Sequence, residues 1–224
     1  MSHSAVIVAG GSGSRFGEKK QFLDLKGTPV LKRAVDCFDS HESVHEIIVV
    51  VPEEDMQRAR EILSGTRTPF TVVSGGARRR ESVLNGLRAV TSGESVLIHD
   101  GVRPFVSHAL ISRVIDGLRD ADACIPALPV TNTLKEALDG IVVTTVSRQH
   151  LYEVQTPQAC VLNSIIHAHE ISLRAGNTDV TDDSALIEAA GGRVRIVQGD
   201  PFNIKITHTR DLALAEVLAQ CPIE

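Results

Sequence analysis

The residues with the clearest potential for chemistry form a glycine-rich loop near the start of the chain. This loop contains Gly10, Gly11, Gly13 and Arg15, and Lys20 follows it after a short gap. Glycines allow the backbone to turn with its N–H groups exposed, and such groups bind phosphate oxygens. Arg15 and Lys20 add two positive charges beside those N–H groups. The composition and spacing of the loop therefore predict a site for a triphosphate.

Two common phosphate-binding motifs do not fit this loop. A P-loop needs a lysine directly after a suitably spaced glycine, and the sequence has no such lysine here. A dinucleotide fingerprint needs Gly-x-Gly-x-x-Gly, and the spacing of Gly11, Gly13 and Gly17 does not match it. A nicotinamide-dependent reductase is therefore disfavoured. A flexible loop with incidental basic residues would explain the glycines alone, but it leaves Arg15 and Lys20 unexplained.

The loop follows the first of several short β-branched segments that alternate with amphipathic ones. Strands are predicted at residues 5–9, 46–51, 70–73 and 95–99, and helices at residues 30–38, 54–63, 79–90 and 107–118. Continuous apolar runs indicate strands that are covered on both faces, so the alternation predicts an α/β fold with a doubly wound, mostly parallel sheet. Ligands of such sheets bind at the carboxyl ends of the strands, where both the loop and Asp100 lie.

The second half of the chain departs from this alternation. After a predicted strand at residues 123–128, Asp139-Gly140 lies between two extended runs, which is typical of a β-hairpin. We interpret residues 131–148 as a β-arm that projects from the sheet. Helices are predicted at residues 161–174, 182–190 and 211–220, and a strand at residues 193–197. Since no linker divides the sequence, residues 1–224 are predicted to form a single domain.

Composition disfavours several classes of protein. The chain has 224 residues, 42% of them hydrophobic, and a formal net charge of −5. This mildly acidic balance disfavours a general nucleic-acid binder, and the absence of Trp disfavours a stacking platform for single strands. The four cysteines are far apart and fit buried thiols in a reducing compartment. Neither a signal-peptide pattern nor an apolar run of about 20 residues is present, which predicts a cytoplasmic protein without a membrane partner.

Further segments resemble those of nucleotidyltransferases that activate sugars and sugar-like alcohols, whose loop reads Gly-x-Gly-x-Arg followed by Lys. These segments are Gly75-Gly76-Ala77-Arg78-Arg79-Arg80-Glu81-Ser82-Val83, His99-Asp100-Gly101-Val102-Arg103-Pro104, residues 129–135, Arg148 before Gln155-Thr156-Pro157-Gln158, Asn203-Ile204-Lys205-Ile206-Thr207 and, more weakly, Thr181-Asp182-Asp183. In this order and spacing they resemble the 2-C-methyl-D-erythritol 4-phosphate cytidylyltransferase family of the non-mevalonate isoprenoid pathway. The matches run from residue 5 to about residue 212 and cover nearly the whole chain.

The resemblance implies a Rossmann-like nucleotidyltransferase fold and a reaction between CTP and a polyol phosphate that releases pyrophosphate. It also implies Mg²⁺ as cofactor and a homodimer with interlocked arms, in which each arm completes the neighbour's substrate site. The nucleophile would be a phosphate oxygen that is already anionic, so the reaction needs no general base. Catalysis would then come from positioning and from stabilisation of negative charge.

Matching positions assign a role to individual residues. The resemblance implies that three cations are catalytic, namely Arg15, Lys20 and Lys205. It implies CTP binding by Ala9, Gly10, Gly11, Gly13, Gly76, Ser82 and Asp100. It implies binding of the polyol phosphate by Arg103, Thr133, Arg148 and Thr156. Direct metal ligands remain open. Lys205 lies in a strand-like segment, so its apolar neighbours should point to the opposite face. His99 is expected to be structural, and a helix-surface position is the simplest alternative for Ser82.

Three departures from the family pattern leave a second substrate open. The loop begins Ala-Gly-Gly instead of Ala-Ala-Gly, the turn after Asp100 reads Gly-Val instead of Ala-Ala, and Ala77 replaces an acid. The first two favour a sister family that makes CDP-ribitol from ribitol 5-phosphate, whereas residues 129–135 and 181–183 favour methylerythritol phosphate. A non-catalytic CTP-binding regulator is a remote alternative, and the presence of Arg15, Lys20 and Lys205 argues against it.

Overall fold

A computed structural model describes residues 2–11, 19–176 and 182–220. Its strands are β1 (His3–Val8), β2 (Val44–Val51), β3 (Phe70–Ser74), β4 (Ser95–Asp100), β5 (Ala123–Pro129), β6 (Leu134–Leu138), β7 (Ile141–Val146), β8 (Tyr152–Val154), β9 (Gln158–Val161) and β10 (Val194–Gln198). Eight of them form the central sheet in the order β10-β5-β9-β4-β1-β2-β3, with β8 paired to β5. The strands β3, β2, β1 and β4 are mutually parallel, as are β5 and β10.

Helices cover both faces of this sheet. They are α1 (Val30–Asp39), α2 (Met56–Ile62), α3 (Arg79–Arg88), α4 (His108–Gly117), α5 (Leu162–Arg174), α6 (Asp183–Ala189) and α7 (Thr209–Leu218). Alternate residues of β1 face opposite layers: Ile7 packs in the core with Leu31 of α1, and Val6 packs in the core with Val83 of α3. The prediction of a doubly wound, mostly parallel sheet is therefore confirmed.

The strand β9 was not predicted from the sequence. It is four residues long, and it lies antiparallel between β4 and β5, with Leu97 opposite Ala159. A strand this short carries too few residues for a clear alternation of apolar and polar side chains. Its position has a consequence for the site, because it brings the preceding segment, which contains Thr156, beside the end of β4.

The predicted arm is present as a separate two-stranded sheet. β6 and β7 pair with each other in antiparallel orientation. Asp139 and Gly140 both have positive φ, 49° and 79° respectively, as a tight two-residue hairpin turn requires. Every residue of β7 is exposed. The arm therefore projects from the domain with apolar side chains in contact with solvent.

The segment Ile204-Lys205-Ile206 was expected to be strand-like, and this expectation is wrong, because the structure assigns none of its residues to a strand. The N–H of Ile206 donates to the carbonyl of Val102, whereas the N–H of Thr207 donates to the carboxylate of Asp211 instead of to a neighbouring strand. Ile204 and Ile206 nevertheless pack in one apolar cluster, and Lys205 is exposed. Separately, no helix in the described parts of the chain is both long and apolar enough to cross a membrane.

Candidate active site

A cavity of about 380 Å³ opens at the carboxyl edge of the sheet, between the ends of β1 and β4 and the beginning of α3. It brings together most of the residues predicted to bind CTP and both of the lysines predicted to be catalytic. These residues are Ala9, Gly10, Gly11, Lys20, Gly76, Ser82, Asp100 and Lys205. The predicted Gly13 and Arg15 lie outside the described residues. The cavity is therefore the candidate active site.

The parallel register of β1 and β4 explains why the glycine-rich loop and Asp100 meet. Val8 lies opposite Asp100 at the ends of these strands. The N–H of Gly101 then donates to the carbonyl of Val8 at 2.9 Å. A Cβ on Gly101 would lie 2.9 Å from the Cβ of Ala9. A side chain at position 101 would therefore require one of the two chain segments to shift.

Asp100 is a buried carboxylate surrounded by three cations. The Nζ of Lys205 lies 2.9 Å from its Oδ2, the Nε of Arg103 lies 3.6 Å from the same oxygen, and the Nε of Arg79 lies 3.4 Å from Oδ1. Burial raises the pKa of Asp100, but the three positive charges outweigh burial and hold that pKa well below its usual range. Asp100 is therefore an anion that orients cations, and it is not suited to act as a general acid.

The two predicted catalytic lysines reach the cavity from different segments. Lys20 lies in a short 3₁₀ helix (Lys20–Phe22), and its Nζ donates to the carbonyl of Thr207 at 3.3 Å. That carbonyl lies two residues after Lys205 in the chain, so the contact ties the two lysine-bearing segments together. The neighbouring Lys19 forms an ion pair with the buried Asp55 at 2.6 Å. This ion pair anchors the segment that carries Lys20 to the turn after β2.

A hydrogen-bonded chain behind Asp100 fixes the wall of the cavity. The Oγ1 of Thr156 accepts from the N–H of Asp100 at 3.1 Å and lies 3.0 Å from the Nδ1 of His99. The Nε2 of His99 lies 3.0 Å from the carbonyl of Arg103. Burial lowers the pKa of His99 to about 4, so the ring is neutral, and these partners assign the proton to Nε2. The structure thus agrees with a structural role for His99.

Arg103 and Thr156, two predicted ligands of the polyol phosphate, do not line the cavity, but both contact Asp100, which does. The Nη1 of Arg103 donates to the carbonyl of Asn203 at 2.8 Å, and its side chain is 11% exposed. The hydroxyl of Thr156 is buried and has both of its partners within the protein. The geometry therefore gives this hydroxyl a scaffolding role, and a contact between Thr156 and substrate stays a prediction.

Ser82 is not a helix-surface residue, because it is 3% exposed. Its Oγ accepts from the N–H of Gly76 at 3.1 Å and lies 3.2 Å from the carbonyl of Arg78. A Cβ on Gly75 would lie 2.8 Å from the same Oγ. Ser82 thus holds the Gly75-Gly76 turn against α3 and shapes the wall at which cytosine recognition was predicted. The contact with cytosine itself stays a prediction.

The remaining predicted substrate ligands do not line the cavity. Thr133 precedes β6 and Arg148 follows β7, so both lie at the base of the arm, and both are exposed. Within one chain the structure therefore does not bring them to Lys20 and Lys205.

Sequence reasoning missed the roles of Arg79 and Asp183. Arg79 lines the cavity, and its Nη1 and Nη2 donate to the two carboxylate oxygens of Asp183 at 3.1 and 2.8 Å. Burial opposes a positive charge on Arg79, but Asp183 and Asp100 outweigh burial and raise the pKa of its guanidinium. The run Arg78-Arg79-Arg80 was a visible signal. Arg78 and Arg79 both line the cavity, whereas Arg80 does not. Which arginines do so depends on the rotation of α3 about its axis, and the sequence alone does not set that rotation.

The cavity offers few side chains that could bind the implied Mg²⁺ directly. Among the described residues, no cluster of three or more His, Cys, Asp or Glu side chains is arranged to hold a metal ion. Asp100 lines the cavity, but cations already occupy its carboxylate. Mg²⁺ commonly binds substrate phosphates and waters with one or two carboxylates. The residues therefore fit a metal ion that is held mainly by the triphosphate.

Comparisons with known proteins relate nearly the whole chain to one family. The profile of the 2-C-methyl-D-erythritol 4-phosphate cytidylyltransferase (IspD) family matches residues 3–220. A cytidylyltransferase of that name from Geobacter metallireducens is 42% identical, over 96% of this chain and 97% of its own length. The bifunctional enzyme IspD/IspF of Rhizobium leguminosarum bv. trifolii is also 42% identical over 96% of this chain, which spans 56% of that relative.

A solved structure gives the same result. The 4-diphosphocytidyl-2C-methyl-D-erythritol synthase from Anaerococcus prevotii superimposes with a TM-score of 0.87 at 35% identity, covering 98% of this chain and 96% of the other. The chain thus spans about half the length of the bifunctional relatives and nearly the full length of the single-function ones.

Proposed function

Because the chain belongs to the 2-C-methyl-D-erythritol 4-phosphate cytidylyltransferase family, we propose that it transfers the cytidylyl group of CTP to 2-C-methyl-D-erythritol 4-phosphate. The products are 4-diphosphocytidyl-2-C-methyl-D-erythritol and pyrophosphate. The observation that carries this proposal for the chain's own residues is the cavity that places Lys20 and Lys205 beside the backbone of Gly10 and Gly11. Such a combination suits a ligand that carries several negative charges.

The chemistry follows from the charges of the two substrates. A phosphate oxygen of the polyol phosphate attacks the α-phosphorus of CTP, a new P–O bond forms, and the bond to the β-phosphate breaks with release of pyrophosphate. Two polyanions must meet, so the protein contributes by positioning them and by offsetting negative charge. Lys20 and Lys205 supply that charge in the cavity. Asp100 orients Lys205 through their 2.9 Å ion pair.

We propose Mg²⁺ as the cofactor, carried into the cavity on the triphosphate. When bound, Mg²⁺ neutralises part of the phosphate charge and holds the triphosphate in one conformation. The N–H groups of the glycine-rich loop and the two lysines would contact the same phosphates from the protein side.

We further propose that the chain works as a homodimer in the cytoplasm. Leu138, Ile141, Val142 and Val143 of the arm are between 57% and 72% exposed. An exposed apolar patch of this kind marks a surface that another protein covers. A second copy of the chain would cover it and bring Thr133 and Arg148 of one arm toward the neighbour's cavity. The free thiols of Cys37, Cys124 and Cys160 fit a reducing compartment.

The test is a side-by-side assay of pyrophosphate release with CTP, MgCl₂ and either of two acceptors, 2-C-methyl-D-erythritol 4-phosphate and ribitol 5-phosphate. We expect turnover with the first acceptor and little with the second. Turnover of ribitol 5-phosphate alone would identify a CDP-ribitol enzyme. Binding of CTP, seen by calorimetry, without release of pyrophosphate in the presence of either acceptor would identify a regulator. Either of these two results contradicts the proposal.

A further inference from the structure

Two buried carboxylates from different parts of the fold hold the guanidinium of Arg79. Asp183, the first residue of α6, accepts from both Nη1 and Nη2, and Asp100 at the end of β4 lies 3.4 Å from Nε. The paired contact with Asp183 fixes the plane of the guanidinium as well as its position. The side chain of Asp183 is 2% exposed, whereas that of Arg79 is 33% exposed and lines the cavity.

The sheet itself sets the position of Asp183. Gln158 of β9 donates from Nε2 to the carboxylate of Asp182 at 2.9 Å and accepts at Oε1 from the N–H of Ser184 at 2.9 Å. These two contacts lie on either side of Asp183 in the chain. Asp182 also caps α6 by accepting from the N–H of Ala185 at 3.0 Å. The beginning of α6 is thus fixed to the centre of the sheet, and Asp183 has little freedom to move.

Asp183 does not itself line the cavity. Any effect it has on substrates must therefore pass through Arg79. A guanidinium has more N–H groups than its contacts with Asp183 and Asp100 use, so Arg79 keeps donors for a ligand in the cavity. Without the charge of Asp183, Arg79 would be drawn toward Asp100 and would compete there with Lys205, which lies 2.9 Å from Oδ2.

We propose that Asp183 is a positioning residue for cytidylyl transfer, which holds Arg79 so that its free N–H groups face the nucleotide and Asp100 stays paired with Lys205. This inference rests on the proposed function. It assigns a role in the site to a side chain that does not line the cavity and that lies 104 positions after Arg79 in the sequence.

The experiment compares Asp183→Asn, Arg79→Ala and the double variant in the full chain, with kcat and KM for CTP as readouts. Asp183→Asn keeps the size of the side chain and removes its charge. We expect it to lower kcat/KM for CTP by roughly 10- to 100-fold, the scale of a displaced substrate-positioning group. In the Arg79→Ala background the same substitution should cause no further loss. Equal losses in both backgrounds would overturn the proposal, because Asp183 would then act independently of Arg79.

A matched control is Asp39→Asn. Asp39 is also a carboxylate with little exposure, since its side chain is 9% exposed, and it accepts from the N–H groups of Arg67 and Thr68 away from the cavity. We expect this variant to keep the wild-type kcat/KM even if its melting temperature falls. An equal loss of kcat/KM in Asp39→Asn and Asp183→Asn would overturn the proposal, since a general loss of stability would then explain both.

Arg79→Lys keeps the test decisive if Asp183→Asn does not fold. Lysine keeps the positive charge but lacks the planar fork that meets both oxygens of Asp183. We expect a raised KM for CTP in this variant, and wild-type kinetics would overturn the proposal.

CTP affinity measured by calorimetry separates the proposed role of Asp183 from the proposed function. If the wild-type protein binds CTP but transfers its cytidylyl group to neither acceptor, the proposed function is contradicted. Unchanged affinity and turnover in Asp183→Asn contradict the role of Asp183 alone.

Discussion

The cavity at the sheet edge and the arm place opposite kinds of side chain in opposite environments. At the sheet edge, Asp100 and Asp183 are buried charges, and cations from the same chain pair with both. In the arm, Ile141 and Val143 are apolar and 72% and 62% exposed. A buried charge without a partner costs several kcal/mol, and exposed apolar patches mark contact surfaces. One chain therefore pairs the buried charges at the sheet edge by itself, whereas its arm leaves apolar side chains in contact with solvent.

The largest effect should come from removing a catalytic cation at the sheet edge. We expect Lys205→Ala to lower kcat by at least ~100-fold, as for the loss of one donor that stabilises the transition state. Arg79 and Arg103 still pair with Asp100, so the melting temperature should change little. Arg119→Ala, which removes an exposed cation outside the cavity, is the matched control and should keep near-normal turnover. A near-normal rate in Lys205→Ala would refute its catalytic role.

Arg148→Ala should show that the base of the arm serves the acceptor and not the nucleotide. Loss of a charged hydrogen bond to phosphate costs about 1.5–3 kcal/mol, which raises KM for the polyol phosphate by roughly 10- to 100-fold. KM for CTP should stay within about twofold of wild type, because Arg148 does not line the cavity. Steady-state kinetics with each substrate varied in turn provide the measurement. A rise in KM for CTP alone would contradict the division between the two regions.

The arm itself is tested by placing charge on its exposed apolar residues. Ile141 and Val143 are both exposed on β7, by 72% and 62%. We expect the double substitution Ile141→Lys and Val143→Lys to weaken self-association by about 10-fold or more, as measured by sedimentation velocity. CTP affinity should be unchanged. Leu173→Lys, at an exposed site outside the arm, is the control. A dimer that tolerates both arm substitutions would locate the contact elsewhere.

The smallest effect concerns a polar side chain in the interior that lacks the pairing found at the sheet edge. His169 is fully buried, and neither ring nitrogen has a hydrogen-bond partner among the described residues. Burial, followed by Arg80 and Arg79, lowers its pKa from 6.5 to about 4. Between these values the unfolded chain binds a proton that the folded chain does not, so stability falls as pH falls from 6.5 toward 4.

His169→Leu should therefore reduce the loss of stability between pH 7 and pH 5 by about 2 kcal/mol. At pH 7 the variant should be as stable as wild type or slightly more stable, because no hydrogen bond is lost. Denaturant unfolding at the two pH values provides the measurement. An unchanged pH dependence would show that His169 is protonated as easily in the folded chain as in the unfolded one.

Local patterns made most of the fold predictable. The apolar runs of β1, β2 and β4 and the Asp139-Gly140 turn each carry their signal within a few residues. The turn is where it was predicted, and the strand ends lie within two residues of their predicted positions. The strand β9 pairs with strands distant in the sequence, and residues 204–206 depend on contacts such as that of Ile206 with Val102, so local sequence patterns misjudged both. Predicted and observed structure thus differ where long-range contacts decide the conformation.

The residues of the site also separate into those with a local sequence motif and those whose contacts are distant in the sequence. Lys20, Gly76 and Asp100 were predicted from motifs, and the structure brings them to one cavity. The link from Asp183 through Arg79 to Asp100 was not predicted, because its residues are distant in the sequence. Asp183 lies 104 positions from Arg79, and Asp100 lies 21 positions from it. The hydroxyl of Ser82 supports its own turn, and this contact depends on the packing of the Gly75-Gly76 segment, which composition does not reveal.

Asp100 gives the cavity its own counterion before any substrate arrives. A cluster of unpaired cations would attract dissolved anions, and its affinity for a nucleotide would fall steeply as ionic strength rises. Here the carboxylate already neutralises part of the charge of Lys205, Arg103 and Arg79. A fixed protein anion thus balances part of the positive charge of the cavity, and mobile salt ions balance less of it. The affinity for CTP should accordingly vary only weakly with salt concentration, so the site would bind its nucleotide across a wide range of ionic conditions.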